Sequence, residues 1–171
     1  YEISPRDWSS DVCSSDLEAI SARSPISLVE VINNAARTAR GVTPSAQIDL
    51  ELAGEPSVLG TRDGLDHVFQ NLIDNALKYG GDTKVSVTVV KVESTNRIRI
   101  AVADRGKGIP PGHEERIFER FYRIDAGRSR DRGGSGLGLA IVKSQVEAMG
   151  GRVWVEDAKP GARFVVELEL A

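Results

Sequence analysis

Two asparagines and a lysine, close together in the sequence, have the side chains that a nucleotide site needs. Asn71, Asn75 and Lys78 stand in the stretch Asn-Leu-Ile-Asp-Asn-Ala-Leu-Lys-Tyr, residues 71–79. On a helix that turns about 100° per residue, these three side chains fall within roughly 60° of one another. Carboxamide oxygens are hard neutral ligands for Mg²⁺ that carries phosphates, and a lysine supplies a point charge for phosphate oxygens. A solvated polar helix face would show the same pattern.

A carboxylate followed by a glycine turn is the second candidate. Residues 104–110 read Asp-Arg-Gly-Lys-Gly-Ile-Pro, directly after a predicted strand. Gly106 and Gly108 allow the backbone to turn sharply and to approach a flat ligand closely. The carboxylate of Asp104 can accept a hydrogen bond from an exocyclic amine such as that of adenine. A polar turn without a ligand remains the alternative.

A glycine loop that leads into a helix is the third candidate. Residues 134–142 read Gly-Ser-Gly-Leu-Gly-Leu-Ala-Ile-Val. Free amides at a helix N-terminus favour a bound anion. A dinucleotide-binding turn is excluded, because no strand precedes the glycines and residues 125–135 are polar and rich in arginine. The loop is better explained as the hinge of a phosphate-binding lid.

An aromatic and arginine-rich segment lies between the two glycine motifs. Residues 116–123 read Arg-Ile-Phe-Glu-Arg-Phe-Tyr-Arg. The aromatic side chains can hold one end of a loop against the core while arginines reach toward polyphosphate. Arg120 and Arg123 are the better placed for this, whereas Arg128, Arg130 and Arg132 are more typical of a solvated charged loop.

The elements that must position these motifs follow from hydrophobic periodicity. The second helix carries a stripe that predicts its buried face: Leu65, Val68, Phe69, Leu72, Ile73, Ala76 and Leu77. Helices between antiparallel strand pairs predict a two-layer α/β sandwich, with a mainly antiparallel sheet covered by helices on one face. In chain order the predicted elements are a helix at 27–40, a strand at 48–52, a helix at 63–79, a hairpin of strands near 85–89 and 98–102, a helix at 137–149, and strands at 152–156 and 163–170.

The first residues of the chain are excluded from these structural predictions. Residues 7–17 read Asp-Trp-Ser-Ser-Asp-Val-Cys-Ser-Ser-Asp-Leu, which resembles the in-frame translation of a sequencing adapter. We therefore interpret 1–17 as an artefactual or unrelated segment, 18–23 as a residual linker and 24–171 as one domain. Cys13, the one cysteine of the chain, lies in this segment and carries no information about redox environment.

Charge and composition exclude several functions for the remaining residues. The whole chain has a formal charge of −3, and removal of Asp7, Asp11 and Asp16 brings this to zero. No global field therefore favours nucleic acid or an anionic membrane. With 27% charged residues and no apolar run of about 18 residues, the segment is predicted to be a cytoplasmic domain.

The four motifs together resemble the N, G1, F and G2 boxes of bacterial sensor histidine kinases, in the same order. The resemblance covers residues 24–171, and the family fold is the Bergerat-type α/β sandwich shared with gyrase, mismatch-repair ATPases and heat-shock chaperone ATPases. It implies the catalytic ATP-binding domain, with ATP and Mg²⁺ as cofactors. The partners it implies are a histidine-bearing dimerisation domain of the same protein and a response regulator. A full-length protein of this kind is expected to be a homodimer, and a membrane anchor is left open.

The resemblance also implies roles for individual residues. Asn75 would be the Mg²⁺ ligand with the help of Asn71, and Lys78 would contact phosphate. Asp104 would bind the adenine amine. Arg123, with Arg120, would meet the γ-phosphate. The other residues implied to bind the nucleotide are Tyr79, Gly106, Gly108 and Ile109 around the base, and Gly134, Gly136, Leu137, Gly138 and Leu139 around the phosphates.

Two details separate this chain from related enzymes. Gyrase-like members have a glutamate where this chain has Asn71, and an amide cannot act as a general base. We therefore expect a site that holds ATP without activating water. His67 and His113 are not expected to be the phosphorylated histidine, because that residue belongs to a helical His-acidic-x-x-x-Pro context that neither has. Two alternatives stay open: a serine-directed anti-sigma kinase or ATPase of the same fold, and a non-catalytic nucleotide-binding regulator.

Overall fold

The computed structural model of the protein describes residues 23–81, 84–124 and 135–171. Its strands and helices follow one another along the chain with short connections, apart from the stretch between residues 103 and 138. In chain order they are β1 (Ser24–Ser27), α1 (Leu28–Val42), β2 (Gln47–Leu52), β3 (Ser57–Gly60), α2 (Arg62–Tyr79), β4 (Lys84–Val92), β5 (Arg97–Ala103), a 3₁₀ turn (Arg116–Phe118), α3 (Gly138–Ala148), β6 (Arg152–Asp157) and β7 (Ala162–Glu169).

The main sheet has the strand order β2-β4-β5-β7-β6. Strand β2 is parallel to β4, and the other neighbours are antiparallel. Because alternate residues of a strand point to opposite faces, the register defines one apolar face. A single row of that face crosses all five strands through Leu50, Val87, Val102, Phe164 and Val155.

Three helices cover this apolar face. Helix α2 packs against both α1 and α3, and the buried residues of all three helices belong to the same core as the sheet. The second strand pair, β1 with β3, is a small antiparallel ribbon that leads into α1 and α2. The result is the predicted two-layer α/β sandwich.

The ends of α2 are fixed by specific hydrogen bonds. At its start the Thr61 side chain accepts a hydrogen bond from the amide of Gly64 at 3.3 Å, a standard N-cap. At its end the amide of Gly80 donates to the carbonyl of Ala76 at 2.9 Å. These hydrogen bonds define where α2 begins and ends.

The sequence predictions agree closely with these elements. Each of the three helices and the five main strands is present, and their bounds differ by at most two residues, except that β4 ends three residues beyond its predicted end. Strands β1 and β3 were not predicted, because four-residue segments are too short to show a period. The assignments of residues 1–17 and 18–23 concern, apart from Arg23, a part of the chain outside the described residues. Within the described ranges, no helix is long and apolar enough to span a membrane.

Candidate nucleotide-binding site

Helix α2 and the start of α3 meet at Asn71. The Asn71 side chain is half-buried, and its Nδ2 donates a hydrogen bond to the carbonyl of His67 at 2.8 Å. This bond directs Oδ1 toward Gly138, where a Cβ atom would lie only 2.8 Å from it. The first helical residue of α3 must therefore be glycine for the Asn71 oxygen to keep this position.

The other predicted residues of α2 lie further toward its C-terminal end. Asn75 is half-buried, whereas Lys78 and Tyr79 are exposed. The apolar stripe lies beside this polar face, and six of its seven residues are buried, with Leu77 half-buried. The helix thus separates a core face from a polar face, as the sequence predicted.

The carboxylate of Asp104 is buried at the end of β5. The side chain is 7% exposed, and its Oδ1 accepts hydrogen bonds from the amides of Gly106 at 2.8 Å and Ala162 at 3.3 Å. The amide of Asp104 also donates to the carbonyl of Ala162 at 3.0 Å. Among the described residues, both side-chain hydrogen bonds of the carboxylate go to Oδ1, so Oδ2 is the oxygen that a ligand could approach.

Close contacts between backbones surround Asp104. A Cβ atom on Gly106 would lie 2.2 Å from the carbonyl oxygen of Tyr79, and one on Gly80 would lie 3.0 Å from the Asp104 Cβ. A Cβ on Gly161, in the turn between β6 and β7, would lie 2.0 Å from the carbonyl oxygen of Asp104. The end of α2, the turn after β5 and the turn before β7 therefore meet around one carboxylate.

The remaining residues of the first glycine turn complete this region. Gly108 has φ +74°, and a Cβ there would lie 3.0 Å from the carbonyl oxygen of Gly161. Ile109 is half-buried and packs against the core. The turn that follows the buried carboxylate thus contributes one apolar side chain to the core and one glycine in close backbone contact with Gly161.

The aromatic segment joins the core to the second glycine loop. Ile117 and Phe118 are buried, and the Phe118 ring makes an edge-on contact with Phe164, with 6.3 Å between the centroids. Phe121 differs: its ring is 70% exposed, and its φ is 64°, a region that non-glycine residues rarely adopt. Its amide donates to the carbonyl of Gly136 at 2.9 Å.

Gly136 itself has φ +69°, and a Cβ there would lie 2.9 Å from the Phe121 Cα. This close approach joins the aromatic segment to the second glycine loop two residues before Arg123. Arg123 is half-buried and Arg120 is exposed. Leu137 precedes the first turn of α3, and its carbonyl accepts from the amide of Ile141 at 2.9 Å, while Leu139 packs against the core.

The structure brings most of the predicted residues into two groups. One group consists of Tyr79, Asp104, Gly106, Gly108 and Ile109; the other consists of Asn71, Gly138 and the loop at Gly136. Asn75 and Lys78 lie on the same helix as Asn71 and Tyr79. Gly134, Arg128, Arg130 and Arg132 lie outside the described residues, so their predicted contacts remain predictions.

Several residues of this region were not predicted from the sequence. Gly80 and Gly161 belong to none of the four sequence motifs, although both have the backbone contacts described above. Phe121 was assigned to anchoring, yet its ring is largely exposed. Only the pairing of a helix end with distant turns could have identified the glycines, and that pairing is not visible in one sequence.

Comparison with known proteins gives the family. The sequence profile described as "Histidine kinase-, DNA gyrase B-, and HSP90-like ATPase" matches residues 60–171. The chain belongs to this family. The matched range contains all four motifs. The binding of ATP is therefore a property of the family as well as an inference from the residues.

Individual relatives narrow the comparison to sensor kinases. The chain is 47% identical over 98 residues to the sensor protein kinase WalK of Staphylococcus saprophyticus. The aligned residues cover 57% of this chain and 16% of that protein. Among solved structures, the ATP-binding domain of PrrB from Mycobacterium tuberculosis is 30% identical with a TM-score of 0.71, covering 88% of this chain and 98% of that domain. Full-length ShkA in complex with AMPPNP is 28% identical with a TM-score of 0.74, covering 92% of this chain and 35% of that one.

These likenesses identify the type of domain. The fold and the sequence are those of the catalytic ATP-binding domain of sensor histidine kinases. The chain spans less than a fifth of the WalK protein from Staphylococcus saprophyticus. What the whole protein does is therefore a matter for proposal.

Proposed function

We propose that residues 24–171 form a domain that transfers the γ-phosphoryl group of Mg-ATP to a histidine on a separate dimerisation domain, for relay to an aspartate of a response regulator. The observation that carries the proposal is the position of Asn71, a carboxamide held by the His67 carbonyl and directed at the first turn of α3. A carboxylate at this position would be able to activate water, whereas a carboxamide has no basic lone pair for a proton. The nucleotide is therefore protected from hydrolysis until an acceptor histidine arrives.

The domain boundary rests on the small strand ribbon. Strand β1 begins at Ser24, and Ser24 pairs with Gly60, directly before α2. At the other end of the chain, Leu170 bridges to Val58 of β3. The ribbon thus ties both ends of 24–171 to one another.

We infer that Asp104 accepts a hydrogen bond from the adenine amine through Oδ2. Its other oxygen is occupied by two amides, which hold the carboxylate in one orientation. Guanine has a carbonyl where adenine has this amine, so GTP would bring an acceptor against an acceptor. Tyr79, Gly106, Gly108 and Ile109 form the walls of the proposed base pocket.

The described residues fit Mg²⁺ only if the nucleotide supplies most of its ligands. Within these residues no three His, Cys, Asp or Glu side chains lie close enough to hold a metal ion. Mg²⁺ commonly keeps few protein ligands when it is carried by phosphates. We propose Asn75, with Asn71, as the neutral oxygen ligands of such an ion, since both project from the same face of α2.

The remaining roles concern charge. When bound, Mg-ATP supplies the transferable phosphoryl group, and catalysis of such transfers consists mainly of positioning and charge stabilisation. Lys78 and Arg123 would stabilise charge on the phosphates, with Arg120 as a second arginine of the same segment. The amides of Gly136, Leu137, Gly138 and Leu139, at the N-terminus of α3, would bind phosphate oxygens, and Gly134 would extend that loop.

Phosphoryl transfer to a supplied acceptor tests this proposal. The whole chain is incubated with Mg²⁺ and γ-labelled ATP, alone and with the histidine-bearing dimerisation domain of a WalK sensor kinase. We expect acid-labile, base-stable label on the added domain, no label on the chain itself, and little release of free phosphate.

The other possible results point to other functions. Label at His67 or His113 of the isolated chain would contradict the proposal, because it would place the acceptor within this domain. Rapid ATP hydrolysis without an acceptor would assign the chain to the gyrase-like ATPases. ATP binding without transfer or hydrolysis would favour a regulatory nucleotide-binding domain.

A further inference from the structure

We propose that His113 is a positioning residue, whose ring holds Tyr122 and thereby fixes the backbone from which Arg123 reaches the γ-phosphate. The inference rests on the proposed role of Arg123. His113 lies outside the four motifs of the domain and outside the residues proposed to contact the nucleotide.

Tyr122 is held by two side chains from the preceding segment. His113 Nδ1 and the Tyr122 hydroxyl form a short hydrogen bond, and the two ring centroids are 5.9 Å apart. The guanidinium of Arg116 lies over the Tyr122 ring, 4.4 Å from its centroid. The amide of Tyr122 also donates to the carbonyl of Glu119 at 3.3 Å. These contacts fix both the ring and the backbone of the residue directly before Arg123.

His113 is itself fixed on a closed turn. Its amide donates to the carbonyl of Pro110 at 3.2 Å, and its carbonyl accepts from the amide of Ile117 at 3.0 Å. Pro110 ends the glycine turn that begins at Asp104. The His113 ring is therefore a side-chain link between the proposed base pocket and the proposed phosphate-binding arginine.

The residue on the other side of Tyr122 explains why such a link is needed. Phe121 has φ 64° and a largely exposed ring, so it does not hold itself against the core. A strained residue keeps such a conformation only where its surroundings impose it. The carbonyl of Gly136 fixes Phe121 from one side, and His113 fixes Tyr122 from the other.

The test compares affinities for Mg-ATP and Mg-ADP by calorimetry on the whole chain. Only ATP has the γ-phosphate, so a defect confined to Arg123 positioning lowers the affinity for ATP relative to ADP. His113→Ala and Tyr122→Phe each remove the hydrogen bond, and we expect each to lower the ratio of ATP to ADP affinity about 3-fold to 10-fold.

Three further variants make the test specific. The double variant should fall no further than either single variant, because both remove the same contact. His113→Asn keeps a neutral hydrogen-bonding group near the position of Nδ1 and should restore the ratio to within about 2-fold of the unmutated chain. Glu115→Ala changes an exposed side chain of the same turn and should leave the ratio unchanged.

Three outcomes would overturn the inference. An equal loss of ATP and ADP affinity would show that His113 only supports the fold, and additive losses in the double variant would show that His113 and Tyr122 act separately. An unchanged ratio would show that the contact does not matter. Arg123→Ala distinguishes a failure of the proposed function. If Arg123 does not bind the γ-phosphate, this variant leaves the ratio of ATP to ADP affinity unchanged although His113 is intact. The inference about His113 would then fall as well.

Discussion

The candidate site has two ends, one around Asp104 and one around Phe121, and different contacts hold each end together. Around Asp104, backbones meet so closely that a Cβ on Gly161 would lie 2.0 Å from one carbonyl oxygen and a Cβ on Gly106 would lie 2.2 Å from another. At the other end, Phe121 is joined to Gly136 by one backbone hydrogen bond and keeps its ring mostly in solvent. The first end is part of the packed core, and the second is a junction of a few contacts.

This difference follows from what each end is proposed to bind. A planar base needs a pocket of fixed shape, and the folded core can provide the walls of that pocket before the base binds. A phosphoryl group that leaves for another domain needs contacts that can form and release. We therefore expect changes at the Asp104 end to act on stability first, and changes at the Phe121 end to act on the ligand first.

The largest effect is expected from Gly161→Ala. The added methyl group would meet the Asp104 carbonyl at 2.0 Å, at a residue with φ +94°. Overpacking and the left-handed conformation together should lower the free energy of unfolding by about 2 to 5 kcal/mol. Denaturant titration of the whole chain measures this change.

Gly54→Ala is the matched control for that variant. Gly54 also has positive φ, at +78°, but a Cβ there would meet nothing within 4 Å. It should cost only the conformational part, about 1 to 2 kcal/mol. Equal losses in the two variants would mean that the close contact at Asp104 contributes nothing, and the comparison of the two ends would fail.

Asp104→Asn should affect the ligand more than the fold. The substitution keeps the size of the side chain and an oxygen that can accept from the amides of Gly106 and Ala162. It removes the charge that faces the proposed adenine amine, and a hydrogen bond to a charged group is worth about 1.5 to 3 kcal/mol. Affinity for ATP should therefore fall about 10-fold to 100-fold, measured by calorimetry. ATP affinity within about 2-fold of the original would contradict the role given to this carboxylate.

A smaller effect on stability than that of Gly161→Ala is expected from Gly136→Ala. A Cβ there would lie 2.9 Å from the Phe121 Cα, and the φ of +69° adds strain. Because the neighbouring segment is held by few contacts, it can shift, so the loss should stay close to the conformational part alone, about 1 to 2 kcal/mol. ATP affinity should fall more than ADP affinity, because the phosphate-binding amides move with the loop. A loss as large as that of Gly161→Ala would show that this end is packed as firmly as the other.

The sequence predicted the fold and the elements that carry the candidate residues better than it predicted the surroundings of those residues. Periodicity placed Asn71 and Asn75 on one helix, and the strand end placed Asp104 before its glycines. These features are local, so a single sequence contains them. The contact of Asp104 with Gly161 joins residues 57 positions apart, and no local pattern records it. Strands β1 and β3 were not predicted for the same reason, since each is defined by its pairing with the other and not by a pattern within its own four residues.

The contact between His113 and Tyr122 was missed for another reason. The sequence context of His113 differs from that of an acceptor histidine, and the sequence predicts no other role for it. Its hydrogen bond to Tyr122 depends on the turn at Pro110 and on the 3₁₀ turn at residues 116–118, which return the chain to it. Contacts between side chains across an irregular segment of this kind depend on the folded chain, and no periodic sequence pattern predicts them.

All roles proposed for the nucleotide-binding residues depend on an adenine pocket formed by Asp104 and the glycine turns around it. Calorimetric titration of the unmutated whole chain with ATP and with GTP, both with Mg²⁺, tests this most directly. Losing a hydrogen bond to a charged group costs about 10-fold to 100-fold in affinity, so ATP should bind tighter than GTP by at least about 10-fold. Equal affinities for ATP and GTP would contradict the assignment of Asp104, and with it the orientation of the nucleotide on which the other roles depend.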